Sequence, residues 1–454
     1  MKVAPQVHAS NENRVVVGLG ATGLSCARYL YAQNLPFCVI DSRKQPPGLD
    51  ELQREMPEVQ VYAGDYPTEI VAHASELVVS PGVAMSEPII REALTAGVAV
   101  VGDIDLFMRA ATVPVVGITG SNAKSTVTEL LGKMAGAAQL NVGVGGNLGT
   151  PALELLADHC ELYVLELSSF QLERAAALHL QVATVLNVSP DHLDRHGDLA
   201  GYRQVKHRIF PGCGNVVVNR DDPSTLPVLD VDLPVVGWCM REPESGDFGL
   251  REHDGVEYLC RGDQQLLRVL DLGLNGRHNV ANALAALALG YSVGLPLTAM
   301  TTTLQTFKGL PHRCELVAQH EGVRYVNDSK GTNVGSVEAA LRGLGGERDI
   351  ILIAGGQGKG ADFSQLQQAV TQHCKALVLI GEDASLLQQV LQASAPVTLA
   401  SSMEEAVTIA VAAASFGDTV LLSPACASFD MFTGYVHRGE AFRNAVEQLS
   451  QEGE

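Results

Sequence analysis

The chain is punctuated by short runs rich in Val, Ile and Leu that end in Gly, Asp, Asn or Ser: RVVVGLG, FCVID, LVVSPG, VVGITG, LYVLELSS, VATVLN, RYVNDS, DIILIAGG, ALVLIG and TVLLSPA. Several are followed by helical spacing, the rhythm of parallel sheets covered by helices. After VPVVGIT, the residues Val127, Leu130, Leu131 and Met134 fall at i, i+3, i+4 and i+7 and predict a helix starting near Lys124. No uninterrupted apolar run is long enough to span a bilayer; the richest candidate, NVANALAALALGYSVGLPL, contains Asn, Ser, Gly and Pro and predicts a buried helix. Between about 215 and 269 the rhythm breaks into polar stretches such as GWCMREPESGDFG, which predict strands and loops. Three α/β sections emerge, 1–103, 104–308 and 309–454. Ligands of such sheets bind beyond the carboxyl ends of the strands, so the residues after each run carry the candidate chemistry.

Bulk properties narrow the class. A chain of 454 residues is long enough for two to four domains at about 150 residues each. With 46% hydrophobic residues, 18% charged residues and a formal net charge of −20, it suits a soluble globular protein and disfavours nucleic acid or an anionic membrane as partner. Anionic substrates would have to be met by a few local lysines and arginines. The nine cysteines are scattered without a C-x-x-C pair, as expected of free thiols in a reducing compartment. The first residues, MKVAPQVHASNENR, lack the apolar core of a signal peptide, so the cytoplasm is the expected location.

Several motifs carry chemistry. In VVVGLGATGLS, Gly18, Gly20 and Gly23 match G-x-G-x-x-G, and Asp41 ends the next strand. Such glycines let a backbone turn tightly against a diphosphate at a helix N-terminus; NAD, FAD, another nucleotide diphosphate, or a turn packed for its own sake all remain open. GITGSNAKSTVTELLG has the strand, polar turn, Lys-Ser and helix of a phosphate loop, but lacks both glycines of the standard G-x-x-x-x-G-K-[ST] pattern. There Lys124 can neutralise outer phosphates, while Ser125 or Thr126 can ligate Mg²⁺. Glu166 interrupts the apolar run LYVLELSS, and a buried carboxylate is costly unless paired or metal-bound; its bland reading is an edge-strand Glu facing water. VLNVSPDHLDRHG places Asp191, His192 and Asp194 after another strand, and Lys206 follows in YRQVKHRIF as an ordinary solvated helix lysine. Asn279, Asn282, Arg313, Asp328, Ser329, Lys330, Asn333, Lys359 and Ser428 lie in further polar clusters after apolar runs.

Taken together, GLGATG with DSR, GDIDLF, GGNLG, ELSSFQLE, DHLDRH, HNVANALAA, GLPHR, NDSKGTN, GGQGKGADFS and SPACASFD resemble, in order and along essentially the whole chain, the Mur ligase family of ATP-dependent amino-acid ligases. LSSFQLE and SPACASFD favour the branch that adds D-glutamate to UDP-N-acetylmuramoyl-L-alanine in peptidoglycan precursor synthesis. The resemblance implies a Rossmann-like N-terminal domain, a central phosphate-loop domain with a parallel sheet, and a Rossmann-like C-terminal domain. Gly20, Ala21, Thr22, Asp41, Ser42, Arg43 and Gly82 would hold the uridine diphosphate, and Asn147, Ser168 and Gln171 the muramoyl-alanine end. Gly120, Ser121, Asn122, Ala123, Lys124, Ser125, Thr126, Asn279, Arg313, Asp328 and Lys330 would bind ATP. Of two Mg²⁺ ions, Ser125 and Glu166 would ligate one, and His192 the other beside a carbamylated Lys206. Lys359, Ser428 and Phe429 would receive D-glutamate. A monomer with a mobile third domain is expected. Against the family pattern G-[ST]-[NS]-G-K-[ST]-[ST] only Ala123 departs, and alanine's helix propensity favours a right-handed backbone there. Set against this, an NAD-dependent oxidoreductase leaves Lys124, Glu166 and His192 unused, and the complete set disfavours a non-catalytic precursor-binding protein; a sister ligase with another amino acid is the alternative enzyme.

Overall fold

The computed structural model describes residues 13–64, 69–176, 178–227, 233–274, 276–358 and 360–452. Lys359 falls outside them. Three sheets lie along the chain, each the core of one α/β domain. In the first, strands run in the order Val61–Ala63, Phe37–Asp41, Arg14–Val17, Glu76–Val79 and Ala99–Val101, all parallel. The central Arg14–Val17 is followed at its carboxyl end by the Gly18 turn and the helix Ala21–Ala32. Its neighbours deliver Asp41 and Ser80 to the same rim.

The second sheet has nine strands. Val115–Thr119 lies between Leu162–Glu166 and Val182–Val185, and Val142–Gly146 forms the outer edge beside Leu162–Glu166. All four are parallel, so the carboxyl ends of the three inner strands deliver the phosphate loop, Glu166 and the Asp191–His192 loop to one side. Beyond Val182–Val185, Asn215–Asn219 and Val235–Trp238 continue the parallel sheet. Phe248–His253, Val256–Arg261 and Gln264–Arg268 then form an antiparallel meander, so this sheet is not wholly parallel. The helix Lys124–Ala137 buries Val127, Leu130, Leu131 and Met134 completely, and Arg277–Ser292 is the buried helix foreseen for the alanine-rich segment.

The third sheet runs Glu315–His320, Val323–Asn327, Thr419–Leu422, Ile350–Gly355, Cys374–Ile380 and Val397–Leu399, parallel except for its first strand. Among the described residues no helix is long and apolar enough to cross a membrane.

Candidate active site

The first domain contributes a cavity of about 540 Å³ lined by Gly20, Ala21, Thr22, Asp41, Ser42, Arg43 and Gly82. Gly18 adopts φ +90°, and a Cβ on Gly23 would lie 1.9 Å from the Gly18 carbonyl oxygen, so the helix can approach the turn only without side chains. Ser80 Oγ donates to that same carbonyl at 2.8 Å. Asp41 accepts the Leu19 N–H at 2.7 Å and is gripped by the Arg43 guanidinium at 2.6 Å. Burial pushes its pKa up, but the Arg43 and backbone hydrogen bonds outweigh that and leave the carboxyl below its usual range. Asp41 thus braces the turn from beneath while Arg43, half exposed, faces the cavity.

At the second site, Lys124 Nζ donates to the carbonyl oxygens of Gly120 and Ser121 at 2.9 and 3.0 Å, and Lys206 Nζ to Gly120 at 2.8 Å. Lys206 is only 1% exposed and lies over the Tyr202 ring, so the solvated-lysine reading fails. Burial, reinforced by repulsion from Lys124, holds its pKa well below the ordinary lysine value. Glu166 ends an interior strand and is 2% exposed, which rules out the edge-strand reading. One of its oxygens accepts from Asn147 Nδ2 at 2.6 Å; the other is buried without a hydrogen-bond partner. Burial raises the Glu166 pKa, yet Lys124 and the surrounding donors hold it below the usual value, so it is a carboxylate. His192 packs edge-on against Phe170, with Nε2 3.7 Å from Asp191. Ser168 and Gln171 form a capping box, and Gln171 Nε2 donates to Asp103 at 2.8 Å, so this side chain is occupied at the seam between the first two domains.

The right-handed expectation for Ala123 is wrong. Its backbone is left-handed, φ 69° and ψ −12°, and it precedes the helix as its N-cap. The loop decides this. The Asn122 N–H is held by Asn187 Oδ1 at 2.8 Å and the Ala123 carbonyl accepts from Val127 N at 3.0 Å, so residue 123 must reverse the chain between those anchors. Such reversals turn consecutive N–H groups inward to form an anion nest, and their geometry overrides alanine's preference.

The third domain closes the site. Arg313 Nη2 donates to Ser125 Oγ at 2.7 Å, and Lys330 Nζ to the Tyr435 hydroxyl at 3.1 Å. Asp328 accepts from Ser423 Oγ and the Cys314 N–H, and burial raises its pKa to about 6. Between the two domains lies a cavity of about 820 Å³ whose walls include Asn122, Ala123, Thr126, Asn279, Arg313, Asp328 and Lys330. Every described residue assigned to ATP except Gly120, Ser121, Lys124 and Ser125 therefore lines it, and those four form the adjoining loop and helix start. Ser428 is buried and Phe429 exposed; two backbone hydrogen bonds between Gln357 and Ala427 run the loop ending at Gly358 alongside Ser428. The residue-by-residue reading missed three arginines. Arg174 and Arg195 of the second domain both donate to the Val83 carbonyl at the first cavity, at 2.8 and 2.9 Å. Arg438, 1% exposed, reaches the carbonyls of Ser329, Gly355, Cys426 and Ala427 and so ties together the loops bearing Lys330 and Ser428. No local signal separates these arginines from surface ones.

Three family models match in succession: Mur ligase MurD-like N-terminal domain over 12–102, Mur ligase middle domain over 118–290, and Mur ligase, glutamate ligase domain over 312–426. The chain belongs to the Mur ligase family. This Mur ligase is 51% identical over 444 residues to a UDP-N-acetylmuramoylalanine--D-glutamate ligase of Pseudomonas aeruginosa, covering 97% of this chain and 99% of the relative. It is 52% identical over 446 residues to the like-named protein of Nitrosococcus oceani, covering 98% of each. Among solved structures, the Mur ligase matches MurF from Acinetobacter baumannii with a TM-score of 0.60 at 16% identity, over 96% of this chain and 93% of that one. A pseudomurein peptide ligase type C from Methanothermus fervidus matches with a TM-score of 0.59 at 19% identity, over 96% and 100%. At these identities the structural matches establish the fold of the Mur ligase.

Proposed function

We propose that this Mur ligase joins D-glutamate to UDP-N-acetylmuramoyl-L-alanine at the expense of ATP. The observation that carries the reading is its identity of about 50% along nearly the whole chain with ligases of that name. The domain limits we infer are 1–103 for the UDP-substrate domain, 104–308 for the ATPase domain and 309–454 for the amino-acid domain. The enzyme acts in the cytoplasm as a monomer.

The geometry supports this chemistry. A carboxylate is a poor acylating agent, so ATP first phosphorylates the alanyl carboxylate; the amine of D-glutamate then attacks the acyl phosphate and phosphate departs. Both steps gather negative charge, which fixed cations stabilise better than a covalent nucleophile would. Lys124, Arg313 and Lys330 supply those cations around the phosphate loop. The first cavity holds the uridine diphosphate, with the helix N-terminus at Ala21 and Thr22 facing the phosphates. Asn147, which donates to Glu166, and Ser168, two residues beyond that carboxylate, would receive the muramoyl-alanine end, and Ser428 with Phe429 would present the amino acid from the third domain.

The unpartnered oxygen of Glu166 and the nearby Ser125 hydroxyl fit one Mg²⁺, an ion usually held by one or two carboxylates plus substrate phosphates and water. When bound, Mg²⁺ supplies charge neutralisation of the transferred phosphoryl group. His192 and a carbamylated Lys206 are proposed for a second ion. The buried, depressed-pKa amine favours the neutral form that reacts with CO₂.

The test is ADP release with UDP-N-acetylmuramoyl-L-alanine, ATP and Mg²⁺, with D-glutamate, L-glutamate, L-alanine or diaminopimelate as acceptor. D-glutamate is expected to be preferred; preference for another acceptor overturns the assignment.

A further inference from the structure

Resting on that reading, we propose that Asn333 is a positioning residue that holds the third domain closed on the phosphate loop. It is the N-cap of the helix Val334–Leu344, and its Oδ1 accepts from Ser336 N at 2.9 Å. Its Nδ2 leaves the third domain and donates twice into the second: to Asn122 Oδ1 of the phosphate loop at 3.2 Å and to Asp191 Oδ2 at 3.0 Å, beside His192. Ser336 Oγ donates to the same Asn122 oxygen at 2.6 Å. Asn122 in turn donates from Nδ2 to Ser189 Oγ at 3.4 Å, and Ser121 Oγ donates to the Ser189 carbonyl at 2.9 Å. One amide therefore caps a helix of the third domain while touching both loops that flank Lys124 and Lys206.

The packing fits a contact that requires the third domain to lie directly against the phosphate loop. A Cβ on Gly335, near Asn333, would lie 3.1 Å from Ser189 Oγ and 3.3 Å from Asn122 Nδ2, so the helix start approaches the phosphate loop at close range. Asn122 lies in the phosphate loop, yet its side-chain oxygen is directed to the third domain. Its part is to register that the domain bearing Arg313 and Lys330 has arrived. Asp191 makes the latch asymmetric, because it accepts from an amide but would repel a carboxylate at the same place.

That asymmetry gives a test which separates the latch from the cap. Aspartate is as good an N-cap as asparagine, so Asn333→Asp keeps the helix while replacing the donated hydrogen bonds with repulsion toward Asp191. The variant is expected to melt with the wild type and to lose about tenfold or more in kcat, in line with two lost hydrogen bonds. In small-angle scattering with Mg²⁺ and a non-hydrolysable ATP analogue it should be more extended than the wild type. Adding Asp191→Asn to Asn333→Asp, which restores a donor facing an acceptor, should recover at least about threefold of the loss and the compact profile. Matching scattering profiles for wild type and Asn333→Asp, or no recovery in the double variant, overturn the latch. Because scattering uses no amino acid, it decides this even if D-glutamate proves to be the wrong acceptor, an outcome that would sink only the functional assignment.

Discussion

Replacing Ala123 by glycine tests the backbone of the phosphate loop through the sign of a stability change. At φ 69° the alanine Cβ meets its own carbonyl, a penalty of about 1–2 kcal/mol that glycine does not incur. Against this, glycine frees the unfolded chain and costs about 0.4–1 kcal/mol. Ala123 is half-buried against the core of the second domain, so loss of its methyl removes about half of the ~0.8 kcal/mol of a fully buried carbon. The balance is a gain of about 0.5 kcal/mol from these three terms. A right-handed residue entering the helix would instead lose about 1 kcal/mol on the same substitution. The two geometries thus differ by about 1.5 kcal/mol. The chain's single tryptophan, Trp238, is buried in the second domain and lines the interdomain cavity, so its fluorescence follows unfolding of the relevant unit. Urea midpoints with unchanged slope measure the difference. A glycine variant less stable than the wild type by about 0.5 kcal/mol or more, on the scale of helix propensities, refutes the left-handed strain.

Three other outcomes are expected. Gly23→Ala forces a Cβ to within 1.9 Å of the Gly18 carbonyl, so the first domain should lose about 1–3 kcal/mol and become sensitive to limited proteolysis before the rest of the chain; unchanged protection would argue against the close approach. Glu166→Gln keeps the shape but removes the charge, and turnover should fall by roughly 100-fold or more; an ADP-release rate within about tenfold of wild type would remove Glu166 from the proposed metal site. Asp328 keeps its proton to about pH 6 in the folded protein but releases it near 3.8 when unfolded. The folded state therefore binds more protons between those values, and its stability falls as pH rises through the window, by roughly 3 kcal/mol from this group. An asparagine side chain does not titrate, so Asp328→Asn should flatten that fall; parallel pH–stability curves for the two proteins would contradict the raised pKa.

All ten apolar runs quoted from the sequence form strands, because strands covered on both faces by helices must be apolar nearly throughout. Val142–Gly146 was harder to see. Its three glycines are there for contact: a Cβ on Gly145 would lie 2.3 Å from the Thr150 carbonyl and one on Gly146 2.6 Å from that of Glu166. Lys124, Glu166 and His192 were legible as chemistry because each follows or ends a strand in the parallel part of one sheet. Their proximity was not, since it depends on the strand order 182–185, 115–119, 162–166, which no local pattern encodes. Arg438 illustrates the opposite limit. In the sequence it is one basic residue among the polar positions of a helix, and only the packed fold shows its guanidinium feeding carbonyls from three loops.

The two cavities pose different problems to an inhibitor. The 540 Å³ pocket lies within one domain and is ready before any ligand arrives, so a compound that fits it is opposed only by its own ordering and desolvation. The 820 Å³ cavity is shared between the second and third domains, so on the proposed domain closure a compound for it would bind with an apparent affinity reduced by the fraction of molecules that are closed. On that proposal a screen run on the free enzyme would under-report ligands for the larger cavity. The same screen run on a variant biased toward closure would rank them on contact alone.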